Sequence, residues 1–402
     1  MSQEKVKIFA SIIDDVTKNQ IDTLASSEAY NDATIRVMPD CHAGMGCTIG
    51  SVIKYTDKVV PNTVGVDIGC GMMVVRIGKV DVDLKKLDEI VNENIPSGFH
   101  IRETPICKID FSLYTPIDDM SYVMRSIGTL GGGNHFIELD VDEKNNKYLV
   151  IHTGSRNLGV QVCKYWQRVA MTKPTAMAEE RSKRVNEIIE KCKAEGREQE
   201  IQTEINKVLK ETAYCVSDGE LAYLSGKDLE KYIHDMEMCQ SYARLNRWHV
   251  AKVICDKMGW KTSYNFHTVH NYIDTVNKII RKGAVSANKY EELIIPMNMR
   301  DGSLLCVGKG NEDWLYSAPH GAGRVMSRTK AKQTLVLTDF EDSMRNVYST
   351  TVCQETIDEA PMVYKSIDTI IQDIKDTVRV KRIIKPLWNF KATTPDGAFL
   401  SK

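Results

Sequence analysis

Short apolar runs with strand character alternate with longer segments of helical period along the 402-residue chain. Runs of β-branched residues, or apolar residues alternating with polar ones, predict strands, because neighbouring side chains of a strand point to opposite faces. We assign strands to residues 6–12, 59–66, 72–75, 136–139, 148–152 and 263–272, and to two runs within 294–308. Apolar residues three and four positions apart predict helices at residues 15–26, 80–94 and 229–257.

The segment 172–212 has a different character, because it is rich in Glu, Lys and Arg. Its apolar residues recur at helical spacing, at Val185, Ile188, Ile189 and Cys192. This pattern predicts an exposed helical hairpin or coiled-coil arm with a solvated charged face. Together with the helix at 229–257, it predicts a helical region over residues 172–260.

The composition is that of a globular protein, with 42% hydrophobic and 27% charged residues and a net charge of −1. A net charge this close to zero produces no overall electrostatic field that would attract nucleic acid or a membrane. A nucleic acid would therefore have to bind a local basic patch. The eleven cysteines are scattered without CxxC spacing, and the first residues are charged. We therefore expect reduced thiols, a cytoplasmic location and no membrane span.

The stretch Val64–Met72 places one carboxylate and one thiol, Asp67 and Cys70, among three glycines. Its pattern predicts a buried strand, a tight glycine turn and a second buried strand. Both polar side chains would be costly in a core without a partner. A metal ion is one such partner, since it accepts oxygen and sulfur ligands. The alternative is a capping Asp beside a buried structural Cys.

Histidines at strand ends add to this pair. His135 and His152 each lie beside glycines at a predicted strand–loop junction, where backbone amides and Arg156 could meet an anion. His267 and His270 are three residues apart and point to opposite faces of an extended strand, so we select His270. Each histidine alone could equally be a satisfied core residue.

These ligands exceed the four that a closed zinc site takes, and they suit two adjacent divalent ions with Cys70 between them. Such pairs are typical of phosphoryl and nucleotidyl transfer. His320 is flanked by small residues, and a helix predicted after Arg324 would make Gly321–Gly323 a phosphate-binding helix N-terminus. A neutral imidazole there could attack the α-phosphorus of a nucleotide. The sequence contains no GxxxxGK[ST] motif.

Three further segments leave their alternatives open. Asp40, Cys41 and His42 lie in a glycine-rich stretch that could support a site, contact phosphate or form a structured turn. The Arg and Asn residues of 243–248 could face a nucleotide or simply cap and pair. The basic end, residues 379–391 with Trp388, fits nucleotide or RNA contact as well as a plain basic edge strand.

Six motifs in the same order resemble those of the RtcB-type RNA-splicing ligases, from about residue 37 to Lys391. They are Pro39-Asp40-Cys41-His42-Ala43-Gly44, Gly65-Val66-Asp67-Ile68-Gly69-Cys70-Gly71, Gly133-Asn134-His135-Phe136-Ile137-Glu138, His152-Thr153-Gly154-Ser155-Arg156, His270-Asn271 and His320-Gly321-Ala322-Gly323-Arg324. Chance similarity does not produce so many motifs in register.

The resemblance implies an enzyme that joins RNA ends bearing a 2′,3′-cyclic phosphate or 3′-phosphate to 5′-hydroxyl ends, in RNA repair or tRNA splicing. It uses GTP and two Mn²⁺ ions. The histidine becomes guanylylated, GMP moves to the RNA 3′-phosphate, and the 5′-hydroxyl expels GMP. RNA and GTP are the expected partners, and an activating protein factor is a further candidate. The alternatives are a binuclear metal-dependent RNA-end phosphodiesterase or phosphatase without ligation, and an idle RNA-binding relative.

The resemblance also implies roles for individual residues. His320 would be the guanylylated residue, and the metal ligands would be Asp67, Cys70, His135, His152 and His270. The nucleotide contacts would be Asn134, Glu138, Asn298, Ser303, Gly321, Ala322, Gly323, Arg324, Tyr364 and Lys391. One departure affects the base: Asn298 replaces a serine that would touch guanine, and Arg300 replaces a glycine. The guanine preference is therefore a question for the structure.

The expected fold is α+β, with mixed β-sheets around a central metal and nucleotide pocket. We expect one catalytic domain over residues 1–402, with residues 172–260 as a helical subdomain within it. The motifs interleave along the chain, which argues against independent domains.

Overall fold

A computed structural model of the chain describes residues 4–172, 176–211 and 219–393. The helices are α1 Asp15–Ser26, α2 Leu84–Asn94, α3 Met120–Arg125, α4 Arg156–Thr172, α5 Ala176–Ala194, α6 Ile201–Glu211, α7 Gly226–Met258, α8 Arg328–Thr334, α9 Leu337–Ser343 and α10 Ile367–Asp373. The strands are β1 Val6–Ile8, β2 Thr34–His42, β3 Ile49–Lys54, β4 Lys58–Val59, β5 Gly71–Gly78, β6 Phe136–Val141, β7 Lys147–Thr153, β8 Leu224–Ser225, β9 Tyr264–Val269, β10 Asn271–Asp274, β11 Ile279–Lys282, β12 Ala284–Ser286, β13 Glu292–Asn298, β14 Gly302–Gly308, β15 Ser317–Pro319 and β16 Val378–Lys391.

The larger sheet has seven antiparallel strands in the order β13-β14-β16-β6-β7-β5-β9. Gly71 lies opposite both Thr153 and Val269, and Phe136 lies opposite His152. Because neighbouring strands run in opposite directions, the starts of β5 and β6 and the ends of β7 and β9 meet at one end of the sheet. The loops that follow or precede these strands therefore converge there.

A second sheet has five strands in the order β1-β2-β3-β11-β10, and two-stranded pairs form between β12 and β15 and between β4 and β8. Strands from distant parts of the chain alternate in both sheets, and helices pack outside them, which confirms the α+β class. The single catalytic domain with a helical subdomain at 172–260 stays a prediction.

Helix α7 covers one face of the seven-stranded sheet. Met73 and Val75 of β5 join a buried cluster with Val250 and Ile254 of α7. The alternate residues of β5 pack on the opposite face in a separate cluster with Ile294 and Ile384. Both faces of this part of the sheet are thus buried, and each fully buried side chain of this size contributes roughly 1.5–3 kcal/mol.

The boundaries of three predicted elements differ in the structure. The first strand ends at Ile8, and the helix predicted from residue 80 begins at Leu84, where the side chain of Asp83 accepts a hydrogen bond from the Lys86 amide and caps it. Residues 64–70 form turns instead of a buried strand, and Val66 is exposed. Glycine turns at positive φ dominate over the β-branched residues there, with Gly65 at 91° and Gly69 at 74°.

The basic C-terminal strand β16 is not an edge strand, because it lies in the middle of the larger sheet between β14 and β6. Its cations at 379, 381 and 385 are exposed, whereas Trp388 is fully buried and donates its indole N–H to Asp88 at 2.9 Å. Trp388 therefore has no free face for a nucleobase.

The charged segment contains the two predicted helices. Helices α5 and α6 pack against each other, and Cys192 and Val208 are buried. Within the described part of the chain, no helix combines the length and apolar character that crossing a membrane requires.

Candidate metal centre and adjoining cavity

The five predicted metal ligands converge at the shared end of the larger sheet. Cys70 precedes β5, His135 precedes β6, His152 lies near the end of β7, and His270 follows β9. The Cys70 Sγ lies 3.3 Å from His152 Nε2 and 3.5 Å from His135 Nε2. His152 Nε2 in turn lies 3.3 Å from His270 Nε2, and Asp67 Oδ2 lies 3.0 Å from His135 Nε2. The ligand atoms thus form a continuous chain with Cys70 in its middle.

These spacings fit metal coordination. Around a tetrahedral ion with bonds of about 2.0–2.3 Å, neighbouring ligand atoms lie roughly 3.3–3.6 Å apart. The distances from Cys70 to His135 and His152 fall in this range, and the ligand atoms of all three residues lie within 4.8 Å of one another as one buried group. The Nδ1 atoms of His152 and His270 are buried and have no hydrogen-bond partner among the described residues. The residues therefore fit a divalent ion by donor chemistry and by geometry.

The protonation states of the ligands also follow from their surroundings. Burial, and then the charge of Asp67, raise the pKa of the Cys70 thiol well above its usual value. Burial raises the pKa of Asp67, but contact with His135 outweighs it and holds the value at about 2. Burial also lowers the pKa of His152 and His270 well below the usual range. Without a cation the thiol is neutral, so metal binding must release its proton.

Close approach between two ligand-bearing loops requires a glycine at position 154. A Cβ atom on Gly154 would lie 2.0 Å from Asp67 Oδ1, which no side chain permits. Any larger residue at this position would displace the Asp67 carboxylate from its present position. Gly154 thus sets the distance between the carboxylate and the histidines.

Two adjacent residues of α7 hold the ligand loops from behind. The Asn246 Oδ1 accepts hydrogen bonds from the amides of Gly128 and Thr129, before His135, and its Nδ2 donates to the Gly154 carbonyl. Arg247 is fully buried and donates to the carbonyls of Gly69 and Thr153. Asn246 and Arg247 therefore pair with the backbone and do not face a nucleotide, whereas the third polar residue of this segment, Arg244, is exposed.

Arg156 has a similar structural role. It donates to the Thr129 hydroxyl and to the Gly98 carbonyl, and its guanidinium packs where a Cβ of Gly131 would lie. It begins α4 at a positive φ of 55° instead of lying in a loop. Arg156 therefore supports the glycine loop before His135 instead of contacting an anion, as the sequence had predicted.

His320 lies directly after β15, with its ring centroid 4.9 Å from that of His270. The buried Asp40 accepts hydrogen bonds from His320 Nδ1 at 2.6 Å and from the backbone amides of His320 and Gly321, both at 3.1 Å. A neutral ring in this arrangement holds its proton on Nδ1 and presents a lone pair on Nε2. Of the alternatives for the segment of Asp40, Cys41 and His42, the structure therefore favours support of a site, because Asp40 orients His320.

The helix N-terminus predicted at Gly321–Gly323 is wrong. Helix α8 begins at Arg328, with Ser327 as its cap, and the Gly321 amide donates to Asp40 instead of remaining free. Gly323 has a φ of 73°, and a Cβ there would lie 2.5 Å from the Asp40 carbonyl oxygen. The glycines allow the backbone to pass close to Asp40, and the helix therefore begins only after this segment, at Arg328.

A cavity of about 1070 Å³ opens next to this cluster. His152 and His320 lie at one end of it, and the predicted contacts Asn134, Glu138, Asn298, Gly321, Ala322, Gly323, Arg324, Tyr364 and Lys391 also line its wall. This volume is at the upper end of small-ligand sites, which suffices for a nucleoside triphosphate. Ser303 alone of the predicted contacts is not part of the lining, because it is fully buried in β14.

Asn298 lines the cavity, but its polar atoms serve its own turn. Its Nδ2 donates to Asp301 at 2.8 Å, and its Oδ1 accepts from the amides of Arg300 and Asp301 at 3.0 and 2.9 Å. Arg300 pairs with Asp301 through two further hydrogen bonds. This turn is therefore a closed wall, and the two departures from the resemblance stabilise each other.

Glu138 is the buried carboxylate of the cavity wall. It accepts a hydrogen bond from Asn389 at 2.6 Å through Oε1. Burial raises its pKa to about 7, against the opposing effects of Asn389 and Lys391. Sequence reasoning missed four other charged residues of the lining, which are Asp14, Arg328, Lys330 and Glu359. None of them stands in a motif, and only the folded chain brings them to the cavity.

Comparisons with known proteins agree with this site. A family model described as tRNA-splicing ligase RtcB matches residues 20–392. RNA-splicing ligase RtcB of Escherichia coli K12 is 31% identical over 396 aligned residues, which cover 86% of this chain and 87% of the relative. The tRNA-splicing ligases RtcB of Aeropyrum pernix and Nanoarchaeum equitans are 26% and 27% identical, over 87% and 84% of this chain and 85% and 83% of the relatives. With its metal cluster, cavity and histidine in place, the chain belongs to the RtcB family.

Proposed function

We propose that this protein is an RNA ligase that joins a 2′,3′-cyclic phosphate or 3′-phosphate end to a 5′-hydroxyl end, with GTP and Mn²⁺. The relatives are named as splicing ligases, which supports ligation of RNA. The observation that carries the proposal is the position of His320, between the metal cluster and the cavity, with Asp40 holding its Nδ1 proton.

In the first step, His320 Nε2 attacks the α-phosphorus of GTP. A P–N bond forms, the P–O bond to the β-phosphate breaks, and pyrophosphate leaves. The Nδ1 proton stays with the ring, and the Asp40 carboxylate stabilises the positive charge that develops there. The hydrogen bond from His320 Nδ1 to Asp40 therefore lies where the positive charge of the imidazole ring develops.

In the second step, an oxygen of the RNA 3′-phosphate attacks the guanylyl phosphorus and displaces His320. The RNA 5′-hydroxyl then attacks the phosphorus of the RNA 3′-phosphate, and GMP leaves as the phosphodiester forms. A cyclic phosphate end requires prior opening by water. The neutral imidazole of His320 is restored for the next cycle.

Asp67, Cys70, His135, His152 and His270 would hold two Mn²⁺ ions. Five ligands are more than one tetrahedral ion takes, and Mn²⁺ accepts mixed oxygen, nitrogen and sulfur ligation. The ions would neutralise the charge of the triphosphate and of the leaving pyrophosphate.

The nucleotide would occupy the cavity beyond His320. The Glu138 carboxylate would accept from the N–H groups of guanine, and Asn134, Tyr364, Lys391 and Arg324 would contact the rest of the nucleotide. Ala322 and Gly323 would lie along the phosphates. Asn298 would form part of the wall instead of reading the base, because its polar atoms serve its own turn. The Ser303 hydroxyl is buried outside the lining and has no hydrogen-bond partner among the described residues, so it would be available to the nucleotide if the wall beside it opened.

The test is covalent labelling with α-³²P-GTP in the presence of Mn²⁺, with ATP as competitor. The unmodified protein should become labelled, and His320→Ala should not. His267→Ala is the matched control, because His267 lies on β9 three residues from His270, away from the cluster and outside the cavity lining. Label on His320→Ala protein would refute the nucleophile. Removal of phosphate from RNA ends without labelling would instead identify a metal-dependent hydrolase.

A further inference from the structure

One buried carboxylate, Glu359, joins four donors that line the cavity. Its Oε2 accepts from Lys391 Nζ at 2.9 Å and from the Tyr364 hydroxyl at 2.8 Å. Its Oε1 lies 2.7 Å from Arg328 Nη1 and 3.3 Å from Arg324 Nη1. Glu359 is 4% exposed, so solvent screens these contacts little. Each oxygen of the carboxylate thus serves a different pair of side chains.

The four donors differ in exposure. The Lys391 side chain is buried, with its Nζ 3.4 Å from the carbonyl oxygen of Asn134, and Arg324 Nη1 lies 3.4 Å from the Tyr364 hydroxyl. These three donors adjoin the proposed nucleotide contacts, and we call their part of the cavity the nucleotide end. The Arg328 side chain is 45% exposed, so a phosphate that arrives from solvent can reach it, and we call its part the RNA end.

The charges at Glu359 do not cancel. Three cations contact Glu359, and the Asp358 carboxylate pairs with one of them, so these five charged groups retain a net positive charge of about one for phosphate. Burial would raise the pKa of Glu359, but Lys391, Arg328 and Arg324 together lower it far below its usual range. A buried lysine or arginine that loses its carboxylate becomes costly and changes position. Glu359 therefore fixes the cations without neutralising them.

We propose that Glu359 is a positioning residue that couples the nucleotide end of the cavity to its RNA end. Its Oε2 holds Lys391 and Tyr364 for GTP, and its Oε1 holds Arg324 beside them and Arg328 for the phosphate of the RNA end. This inference rests on the proposed ligase function. It adds that both substrates depend on one side chain that contacts neither of them.

Asp358 provides a matched control on the same turn. Its carboxylate contacts Arg328 and lies 3.9 Å from Lys332. Among the described residues, no hydrogen bond or ion pair joins that carboxylate to Lys391 or Tyr364. Asp358→Asn therefore removes a neighbouring charge from the RNA end only, whereas Glu359→Gln removes the charge shared by both ends.

The experiment measures the KM for GTP in self-guanylylation and the KM for a 3′-phosphate RNA in joining. Glu359→Gln should raise both KM values about tenfold or more, while the labelling rate at saturating GTP falls much less. Asp358→Asn should raise the KM for RNA and leave the KM for GTP within about twofold. This split separates positioning from a general loss of folded protein, which lowers the labelled fraction without changing KM.

A double variant tests the route of the effect. Because Glu359 acts on GTP partly through Lys391, Glu359→Gln combined with Lys391→Gln should raise the KM for GTP by clearly less than the product of the two single effects. Multiplied effects in the double variant would overturn the proposal, and so would an unchanged KM for GTP in Glu359→Gln. Absence of label on the unmodified protein would instead overturn the proposed function, so the two failures are distinct.

Discussion

Polar atoms are used in opposite ways at the metal end of the cavity and at the Asn298 turn. At the metal end, the Cys70 Sγ lies 3.3 Å from His152 Nε2, which in turn lies 3.3 Å from His270 Nε2. At the turn, Asn298 forms hydrogen bonds with Asp301 and with two backbone amides. Buried ligand atoms that face one another indicate where a cation can bind, whereas polar atoms satisfied by their own turn form a wall.

The largest expected effect breaks the metal end. Cys70→Ala removes the ligand in the middle of the cluster, so metal content and labelling with α-³²P-GTP should both fall to background. Elemental analysis of the purified protein measures the first, and autoradiography measures the second. Cys306→Ala is the control, because this thiol is also buried but lies on β14 outside the cluster. Normal labelling of Cys70→Ala protein would contradict the assignment.

The next effect separates the nucleophile from the metals. Asp40→Asn removes the acceptor that fixes the Nδ1 proton of His320, so the labelling rate should fall roughly 100-fold. The metal content should not change, because Asp40 contacts His320 and none of the five ligands. Asp14→Asn, another carboxylate of the cavity that caps α1, should label normally. A loss of metal in Asp40→Asn would show that the two parts are not separable.

The pH dependence of metal affinity sharpens the same comparison. Metal binds the Cys70 thiolate, and the pKa of this thiol lies well above its usual value. Between pH 6 and 8 the thiol is protonated before binding, so affinity should rise about tenfold for each pH unit. Mn²⁺ titrations followed by thermal shift at several pH values would measure this slope. A slope of zero would mean that Cys70 does not ligate as a thiolate.

The smallest effect concerns the turn. Asn298→Ser should change the KM for GTP by no more than about threefold, because the side chain serves the turn and not the base. It should lower the stability of the protein by about 1 kcal/mol through loss of its hydrogen bonds to Asp301 and the backbone. Kinetics with GTP and ATP, together with denaturant unfolding, measure both. A switch of base preference toward ATP would show that Asn298 reads the base.

The ligands could be predicted from sequence because their signal is local. Histidine or cysteine beside glycine at the end of an apolar strand indicates a polar atom at a sheet edge, and the structure brings all five predicted residues together. Their supports could not be predicted. Asp40 meets His320 across 280 positions, and the two α7 residues reach loops about 90 to 180 positions away. Such pairs depend on tertiary packing, which leaves no periodic trace.

Local patterns misled where backbone geometry or neighbours took precedence. The β-branched run before Asp67 suggested a strand, but Gly65 and Gly69 turn the backbone at positive φ. The motif after His320 suggested a helix N-terminus. However, the Gly321 amide donates to Asp40, and the helix begins only at Arg328, with Ser327 as its cap. Basic residues of β16 suggested an edge, although their alternation places the cations outward from a central strand.

The central position of β16 has a consequence for how the site is assembled. Residues 378–391 are the only strand between β14 and β6 in the described chain, so without them the larger sheet consists of two unconnected halves with open edges. Open edges pair readily with foreign strands. A growing polypeptide on the ribosome can therefore form its thiol–histidine half early, but it can join that half to the Asn298 wall only after synthesis has passed Lys391. Residues 378–391 thus complete the larger sheet that carries both the thiol–histidine cluster and the Asn298 turn.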